Sequence, residues 1–305
     1  MRIALTGASG LVGRFLSRAF RAEGHQVETL PGWRLGKPAP LEGCAALVHA
    51  AFAHVPGKYR GGEGDDPERF LALNRDGSLR LFQDAKAQGV GQVVFLSSRA
   101  VYDALPAGPP LPDGTPAAPA SLYGRVKAEA EAGLAALDAP DFTTASIRAT
   151  GIYGPGEGHK WTGLIADYLA GRPVAPRRAT ELHGDDLAAA ILLILRNGAR
   201  GAFNASDLLL DRHDLLEVLL LHRREVFEEV ADGRIYRAHD GQAQEQPFAV
   251  GKQALHDIGL HQRADQETQD QPGGNAVTGA VEVGRQNVHQ APAECTFGGN
   301  SQPVQ

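Results

Sequence analysis

The 305-residue sequence predicts an α/β fold, a doubly wound parallel sheet, on three observations. It opens on a short apolar run, Ile3-Ala4-Leu5, then the glycine turn Thr6-Gly7-Ala8-Ser9-Gly10-Leu11-Val12-Gly13, then apolar residues at helical spacing from Arg14 to Phe20. Further apolar runs near 45–51 and 92–96 are short and continuous, as strands buried on both faces should be, and 142–148 reads as another strand. Segments of helical periodicity, opened by capping residues, lie between them.

A strand, a glycine turn and a helix in this order form a dinucleotide site of the Rossmann type. Glycine lets the backbone turn tightly and approach a pyrophosphate, and the helix N-terminus offers N–H groups and a favourable dipole. Gly7, Ser9, Gly10, Leu11, Val12 and Gly13 are therefore the expected cradle of the cofactor. The competing reading, a glycine-rich turn with no ligand, is disfavoured by the position of the motif at the head of an α/β pattern.

Composition narrows the class. The length suits one large domain or two small ones, and a hydrophobic content of 43% supplies a substantial core. A formal charge of −6 and a pI near 6.0 leave no basic footprint for nucleic acid. Cys44 and Cys295 are the only cysteines, with no CxxC spacing, so neither a disulfide framework nor a metal site is expected. Leu187 to Leu195, the longest apolar stretch, is too short to span a bilayer. The chain begins in a strand rather than in a leader. A soluble, cytoplasmic protein without membrane contact is the expectation.

In chain order, the first helix should stop at Gly24, which suits a left-handed cap. Residues 26–30 read as the next strand, and it runs into Pro31-Gly32-Trp33-Arg34 without the carboxylate that holds the ribose 2′-OH of NAD. Arg34 reads either as a group for the 2′-phosphate of NADP or as a solvated loop residue. His49, inside the apolar run Ala45 to Ala51, reads as structural because no nucleophile or carboxylate accompanies it locally. Residues 54–66 form a glycine-rich polar loop at the carboxyl end of that strand, where ligands bind in open α/β sheets; it reads equally as a binding loop or a solvated one. Asp66-Pro67-Glu68 opens a helix along which Asn74, Gly77, Leu81 and Ala85 lie. The strand 92–96 ends at Ser97-Ser98, and Ser121 opens a helix carrying Tyr123 and Lys127.

A strand over 142–148 leads to the turn-rich 149–156, then a short helix from Trp161 to Leu169. His183-Gly184-Asp185-Asp186 reads as the cap of the apolar helix that follows, with Asp185 and Asp186 in a capping rather than a catalytic role. Beyond about residue 240, Gln and Gly dominate and large apolar residues are sparse, so 241–305 reads as a disordered tail or as the product of an altered reading frame.

Ser98, Tyr123 and Lys127 form a catalytic constellation. Tyr123 and Lys127 are four residues apart and share a helix face. Tyrosine, with a pKa of about 10, is a poor base at neutral pH, and a neighbouring ammonium lowers that value. With Ser98 bonding the substrate oxygen, the group suits hydride transfer at a carbonyl or secondary alcohol, tyrosine moving the proton.

These segments resemble the extended short-chain dehydrogenase/reductase family, in its NAD-dependent epimerase/dehydratase group. The turn TGASGLVG, the LVHAA run, which resembles the family's fourth strand, and Asn74 to Ser78 after it carry the likeness, as do FLSSRAVY, SLYGRVK, IRATGIYGPG, LHGDDLAAA and Gly201-Ala202-Phe203-Asn204. The resemblance covers roughly residues 1–215. It implies cofactor contact at Ala50, Ala51, Thr150 and Ile152, contact of Lys127 with the nicotinamide ribose beside Tyr123, and a homodimer.

The departures are informative. Arg99 and Ala100 stand where the family's 4,6-dehydratases carry Asp-Glu, which argues against dehydration. The stretch between Val174 and His183 is short for a nucleotide-sugar diphosphate site. Ala45 replaces an acid of the family. The missing acid after the second strand turns the cofactor choice from NAD towards NADP.

The expected organisation is a cofactor domain from 1–155 and 181–205, with a smaller substrate-binding portion from 156–180 and 206–240. The expected function is an NAD(P)-dependent oxidoreductase acting on a carbonyl or secondary alcohol. A nucleotide-sugar epimerase with tightly held NAD and a non-catalytic dinucleotide sensor are the alternatives. The expected partner is a small molecule. Lys58, Tyr59, Arg60, Arg99, His159, Arg177 and Arg178 converge near the site, and Arg60, Arg99 and Arg177 are the candidates to hold an anionic group of the substrate.

Overall fold

The computed structural model describes residues 1–55, 64–106, 108–155 and 160–220. Strand β1 (Arg2–Thr6) leads through the glycine turn into α1 (Leu11–Ala22), then β2 (Gln26–Glu28) and β3 (Ala46–His49). Next come α2 (Pro67–Leu71), a π-helical turn (Ala72–Asp76), α3 (Gly77–Ala87), β4 (Gln92–Ser98), a 3-10 turn (Arg99–Tyr102), α4 (Leu122–Ala135) and β5 (Thr143–Ala149). The remainder is β6 (Gly151–Tyr153), α5 (Thr162–Leu169), β7 (Arg178–His183), α6 (Gly184–Asn197), β8 (Gly201–Ala205) and β9 (Leu208–Asp211), with residues 212–220 helical.

Six strands make one parallel sheet in the order β2-β1-β3-β4-β5-β8. The order reverses between β1 and β3, the switch point at which ligands bind this architecture. Alternation along the strands sorts two cores. Ile3, Leu5, Val48 and Ile147 face α1 and α6, while Ala4, Leu47, Val93 and Phe95 face α3 and α4. This is the predicted doubly wound α/β fold. The LVHAA run supplies the third strand of this chain.

A second sheet, β6-β7-β9, packs Tyr153 and Leu210 with Trp161, Leu215 and Val218 into a small separate core. Between β5 and β6 the chain passes from one sheet to the other through a single residue, Thr150, whose N–H donates to the Ala205 carbonyl. Phe15 of α1 docks against both parts. A Cβ on Gly184 would lie 2.3 Å from its ring and one on Gly154 2.5 Å, so only glycine leaves it room.

Three local expectations are revised. The strand expected over 26–30 stops at Glu28, because Leu30 takes a left-handed backbone (φ 49°) ahead of Pro31. The helix from Asp66 is not continuous: Gly77 N–H bonds the Ala72 carbonyl, five residues back, and opens a π turn around the buried Asn74. Asp185 and Asp186 occupy the first turn of α6, but the cap is His183, whose Nδ1 accepts the Asp185 N–H. Among the described residues no helix is long and apolar enough to cross a membrane. The expected tail, 241–305, lies outside the described residues, as do Lys58, Tyr59, Arg60 and His159.

Candidate active site

The glycine turn shows why each glycine stands where it does. A Cβ on Gly7 (φ 72°) would lie 2.7 Å from Ala50 C and Ala51 N, and one on Gly13 would lie 2.1 Å from the Gly7 carbonyl oxygen. Those two glycines are demanded by the protein's own packing. Gly10 is different: its Cβ would meet only the Gly7 oxygen at 3.4 Å, so the space above it is left open. Gly10 is also the N-cap of α1, with no side-chain cap and no acid in the first turn. An open approach to an uncapped, acid-free helix N-terminus fits a dinucleotide pyrophosphate.

From this turn a groove of about 1080 Å³ runs along the ends of β1 and β2. Gly7, Ser9, Arg34 and Ala51 line it, as expected. Arg14, Arg18 and Arg21, unforeseen from sequence, line it too, and no carboxylate does among the described residues. Arg18 pairs with Asp185, Arg21 donates to Ser17 Oγ at 2.5 Å, and Arg34 donates to the Trp33 carbonyl at 3.0 Å. Glu28, the nearest acid of β2, turns away to pair with Arg2 at 3.1 Å. Of the remaining expected cofactor contacts, Leu11, Val12 and Gly13 form the first turn of α1, Ala50 and Ile152 pack against the larger core, and Thr150 sits between the two sheets.

One polar relay fixes the floor of the groove. Ala50 and Ala51 N–H both donate to Thr6 Oγ1 at 3.2 Å. The Ser78 hydroxyl donates to the Asn74 carbonyl at 2.5 Å, so His49 Nε2–H donates to Ser78 Oγ (2.9 Å) and Nδ1 accepts from the Thr6 hydroxyl (2.6 Å). His49 is fully buried, and burial pushes its pKa down to about 3. It is the structural residue expected of it. Asn74 then clamps the next step of chain, accepting from Ala53 N–H and donating to the Ala53 carbonyl, at 2.7 and 2.8 Å. The residue held between these anchors is Phe52.

Phe52 joins the groove to the expected catalytic group. Its ring stands edge-on to Tyr123, centroids 5.1 Å apart, and Lys127 Nζ lies 4.5 Å from its centre. Lys127 also lies 4.7 Å from the Phe95 ring centre and 6.0 Å from that of Tyr123, and it donates to the Leu96 carbonyl at 2.7 Å. Burial lowers its pKa to about 7, against a smaller opposite pull from Glu131. Ser98 ends β4, and its Oγ accepts the Ala100 N–H at 3.2 Å, leaving its own hydrogen to donate elsewhere. α4 presses on this turn through Gly124, where a Cβ would lie 2.2 Å from the Ala100 oxygen. Ser121, hydrogen-bonded to Asp103 at 2.5 Å, caps α4 and sets the helix turn carrying Tyr123.

Beyond Ser98 the second sheet contributes charge. Register joins Ser98 to Ala149 and, two residues on, Gly151 to Glu181. Glu181 is buried and pairs with Lys160 directly over Gly151. Arg99 and Arg177 act electrostatically on both members of this pair. Two of the three candidate substrate arginines thus belong to one neighbourhood, and Arg60 is outside the described residues.

Residues 39–206, more than half of the chain, match the NAD dependent epimerase/dehydratase family. A ceramide reductase of Caulobacter vibrioides is 30% identical over 242 residues, 71% of this chain and 68% of that protein. Among solved structures, RMD from Pseudomonas aeruginosa complexed with NADPH is similar with a TM-score of 0.60 at 23% identity, over 72% of this chain and 83% of that one. The UDP-glucose 4-epimerase of Thermus thermophilus in complex with NAD gives 0.59 at 20% identity, over 85% and 93%. At these identities the two structures speak for the fold. The chain belongs to the NAD dependent epimerase/dehydratase family. It is accordingly an enzyme of the extended short-chain dehydrogenase/reductase type that uses a nicotinamide dinucleotide.

Proposed function

We propose that this enzyme is an NADP-preferring oxidoreductase acting on a carbonyl or secondary alcohol, with Tyr123 as the proton donor and acceptor. The observation that carries this reading is the packing of Tyr123 and Lys127 around Phe52, which itself lines the groove. When bound, the dinucleotide supplies or accepts the hydride. Ser98 Oγ–H donates to the substrate oxygen while its lone pair stays on the Ala100 N–H. The Tyr123 hydroxyl passes its proton to that same oxygen in reduction, and the Tyr123 tyrosinate removes it in oxidation. The Lys127 ammonium favours the tyrosinate and lowers the cost of that transfer. The preference for NADP rests on the groove, which four arginines and, among the described residues, no carboxylate line. The reductase among the relatives supports the direction, and a role as sensor is disfavoured by the intact constellation.

The test is turnover with NADPH over a panel of carbonyl compounds, with Tyr123→Phe as comparison. Loss of the proton-transferring hydroxyl should lower kcat by about 10²–10⁴-fold. The dissociation constant for NADPH should hardly change and should be smaller than that for NADH. Turnover in Tyr123→Phe close to the parent's would exclude the mechanism. NAD retained through purification, with turnover that consumes no added cofactor, would replace it by epimerisation.

A further inference from the structure

We propose that Arg148 and Glu131 are positioning residues for hydride transfer: their buried ion pair locks the helix that carries Tyr123 and Lys127 to the turn that follows Ser98, and sets a carboxylate one helical turn from Lys127. The inference rests on the catalytic assignment above and adds the residues that hold it in place.

Helix spacing places the acid. Tyr123, Lys127 and Glu131 follow one another at intervals of four on α4, so Glu131 stands on the same face, one turn beyond Lys127. Strand register places the base. Arg148 pairs with Ser97 and directly precedes Ala149, the partner of Ser98. Ile147 and Ala149 face α1 and α6, so Arg148 between them points to the side of α4. The two side chains are 8% and 7% exposed. Arg148 Nε lies 3.1 and 3.0 Å from the two Glu131 oxygens, and Nη2 donates to Oε2 at 2.7 Å. The other arm, Nη1, donates to the Tyr102 hydroxyl at 2.5 Å and to the Thr115 carbonyl at 2.9 Å. Tyr102 ends the 3-10 turn that starts directly after Ser98, and its own hydrogen goes to Asn204 of β8 at 2.9 Å. One guanidinium therefore ties α4, the turn after Ser98 and the loop between them to β5.

A buried ion pair gives up hydration that apolar packing would not, so stability alone does not account for this one. α4 already has an apolar seat, where Ala130 and Leu134 join the core of Leu81 and Phe95. Such contacts are non-directional. The guanidinium adds direction, because its planar fork accepts one setting of helix, turn and loop. Charge is the second effect. Around Lys127 stand Tyr123 and Glu131 on its own helix, His49 of β3, the Leu96 carbonyl of β4 and, beyond Glu131, Arg148 of β5. Arg75 of the π turn is engaged with Asp76 and Glu129. His49 is held neutral by burial. Burial also lowers the Lys127 pKa, and Glu131 opposes it. The pair thus aligns the catalytic helix and supports the ammonium that Tyr123 needs.

Two measurements on the full-length protein test this, each with Glu131→Gln and with the double variant Glu131→Leu/Arg148→Met. The first is a nuclear magnetic resonance titration with isotope-labelled lysine side chains, the Lys127 signal being the one absent from Lys127→Met. Its midpoint, about 7 in the parent, should fall by about half a unit or more in both variants. Glu131→Gln leaves Arg148 buried without its carboxylate and should melt earlier than the parent. The apolar double variant should melt close to the parent, and it carries the test if the single variant does not fold. The second measurement is kinetic, with NADPH and the carbonyl compound that the parent reduces best. In the double variant kcat should fall about tenfold or more, while the dissociation constant for NADPH hardly changes. A folded double variant with the parent's Lys127 midpoint, or with the parent's kcat, overturns the proposal. An active Tyr123→Phe enzyme would refute the hydride-transfer mechanism itself, and the Lys127 titration reads the ion pair independently of that result.

Discussion

Lys127 depends on its neighbours for its charge. Burial pulls its pKa to about 7, yet a helpful Lys127 must be an ammonium. The two phenyl faces at 4.5 and 4.7 Å, from Phe52 and Phe95, favour the cation, and such contacts are worth about 0.5–2 kcal/mol. Phe95 belongs to the core, but Phe52 lines the groove and can be changed with less damage. Phe52→Leu should therefore move the acid-side inflection of kcat/KM for alcohol oxidation to higher pH, by about half a unit to one unit. The cause would be a lower ammonium population and a less acidic Tyr123. Phe52→Tyr should keep the parent's profile, and a leucine variant with an unmoved profile would show that Phe52 only fills space. This residue was not singled out in the sequence. Tyr123, Lys127 and Ser98 were legible because helix spacing and the strand end declare them locally. Phe52 earns its place only when β3, α4 and the Asn74 clamp meet.

At the scale of an element, the π turn at Ala72–Asp76 is the feature that helical periodicity obscured. Apolar spacing through Asn74, Gly77, Leu81 and Ala85 reads as one helix, and in outline it is one. The wider turn lets Asn74 serve both polar groups of Ala53 as well as the Phe70 carbonyl at 3.0 Å, while Ser78 remains under His49. Gly77 is needed for a non-local reason: its Cβ would lie 2.9 Å from Gly36 N, in the loop that carries Arg34. Asn74→Ala would leave the Ala53 N–H and carbonyl without this partner, a loss of about 1–3 kcal/mol. We expect a lower melting temperature together with a weaker dissociation constant for NADPH, because Phe52 and Ala51 lose their anchor. A variant that melts early but binds NADPH as the parent does would confine Asn74 to stability. The groove arginines illustrate the same limit of sequence: Arg14, Arg18 and Arg21 are ordinary helix residues until β2 lies beside α1.

For the whole molecule, acid is the relevant stress. His49 titrates at about 3 in the fold and at 6.5 in its ordinary state, so between these values the unfolded chain takes up the proton first. Its contribution is complete above pH 6.5 and is lost as the pH falls towards 3. Lys127 has the same sign in a higher window, between 10.5 and about 7, so at neutral pH the fold already bears the cost of its burial. His49→Gln should be less stable than the parent at pH 7, since the relay through Thr6 and Ser78 is broken. In urea titrations the gap between the two should narrow as the pH is lowered below 6.5, because glutamine does not titrate. A gap that stays constant or widens would show that His49 does not govern the acid limb.

Mechanically, the two sheets share a frame rather than a hinge. The chain crosses between them at Thr150, at the direct junction of His183 with Gly184, and at Ser206-Asp207. The last crossing is held twice: Asp207 N–H donates to the Glu181 carbonyl at 2.7 Å, and Tyr153 donates to the Asp207 carboxylate at 2.8 Å. Phe15, wedged between Gly154 and Gly184, adds a bolt from the opposite side. Swinging the small sheet open would require all three junctions to bend together and Phe15 to withdraw. The spacing between the Ser98 strand end and the Lys160–Glu181 pair is therefore set by all three junctions together, as the distance between two walls is set by the beams that tie them.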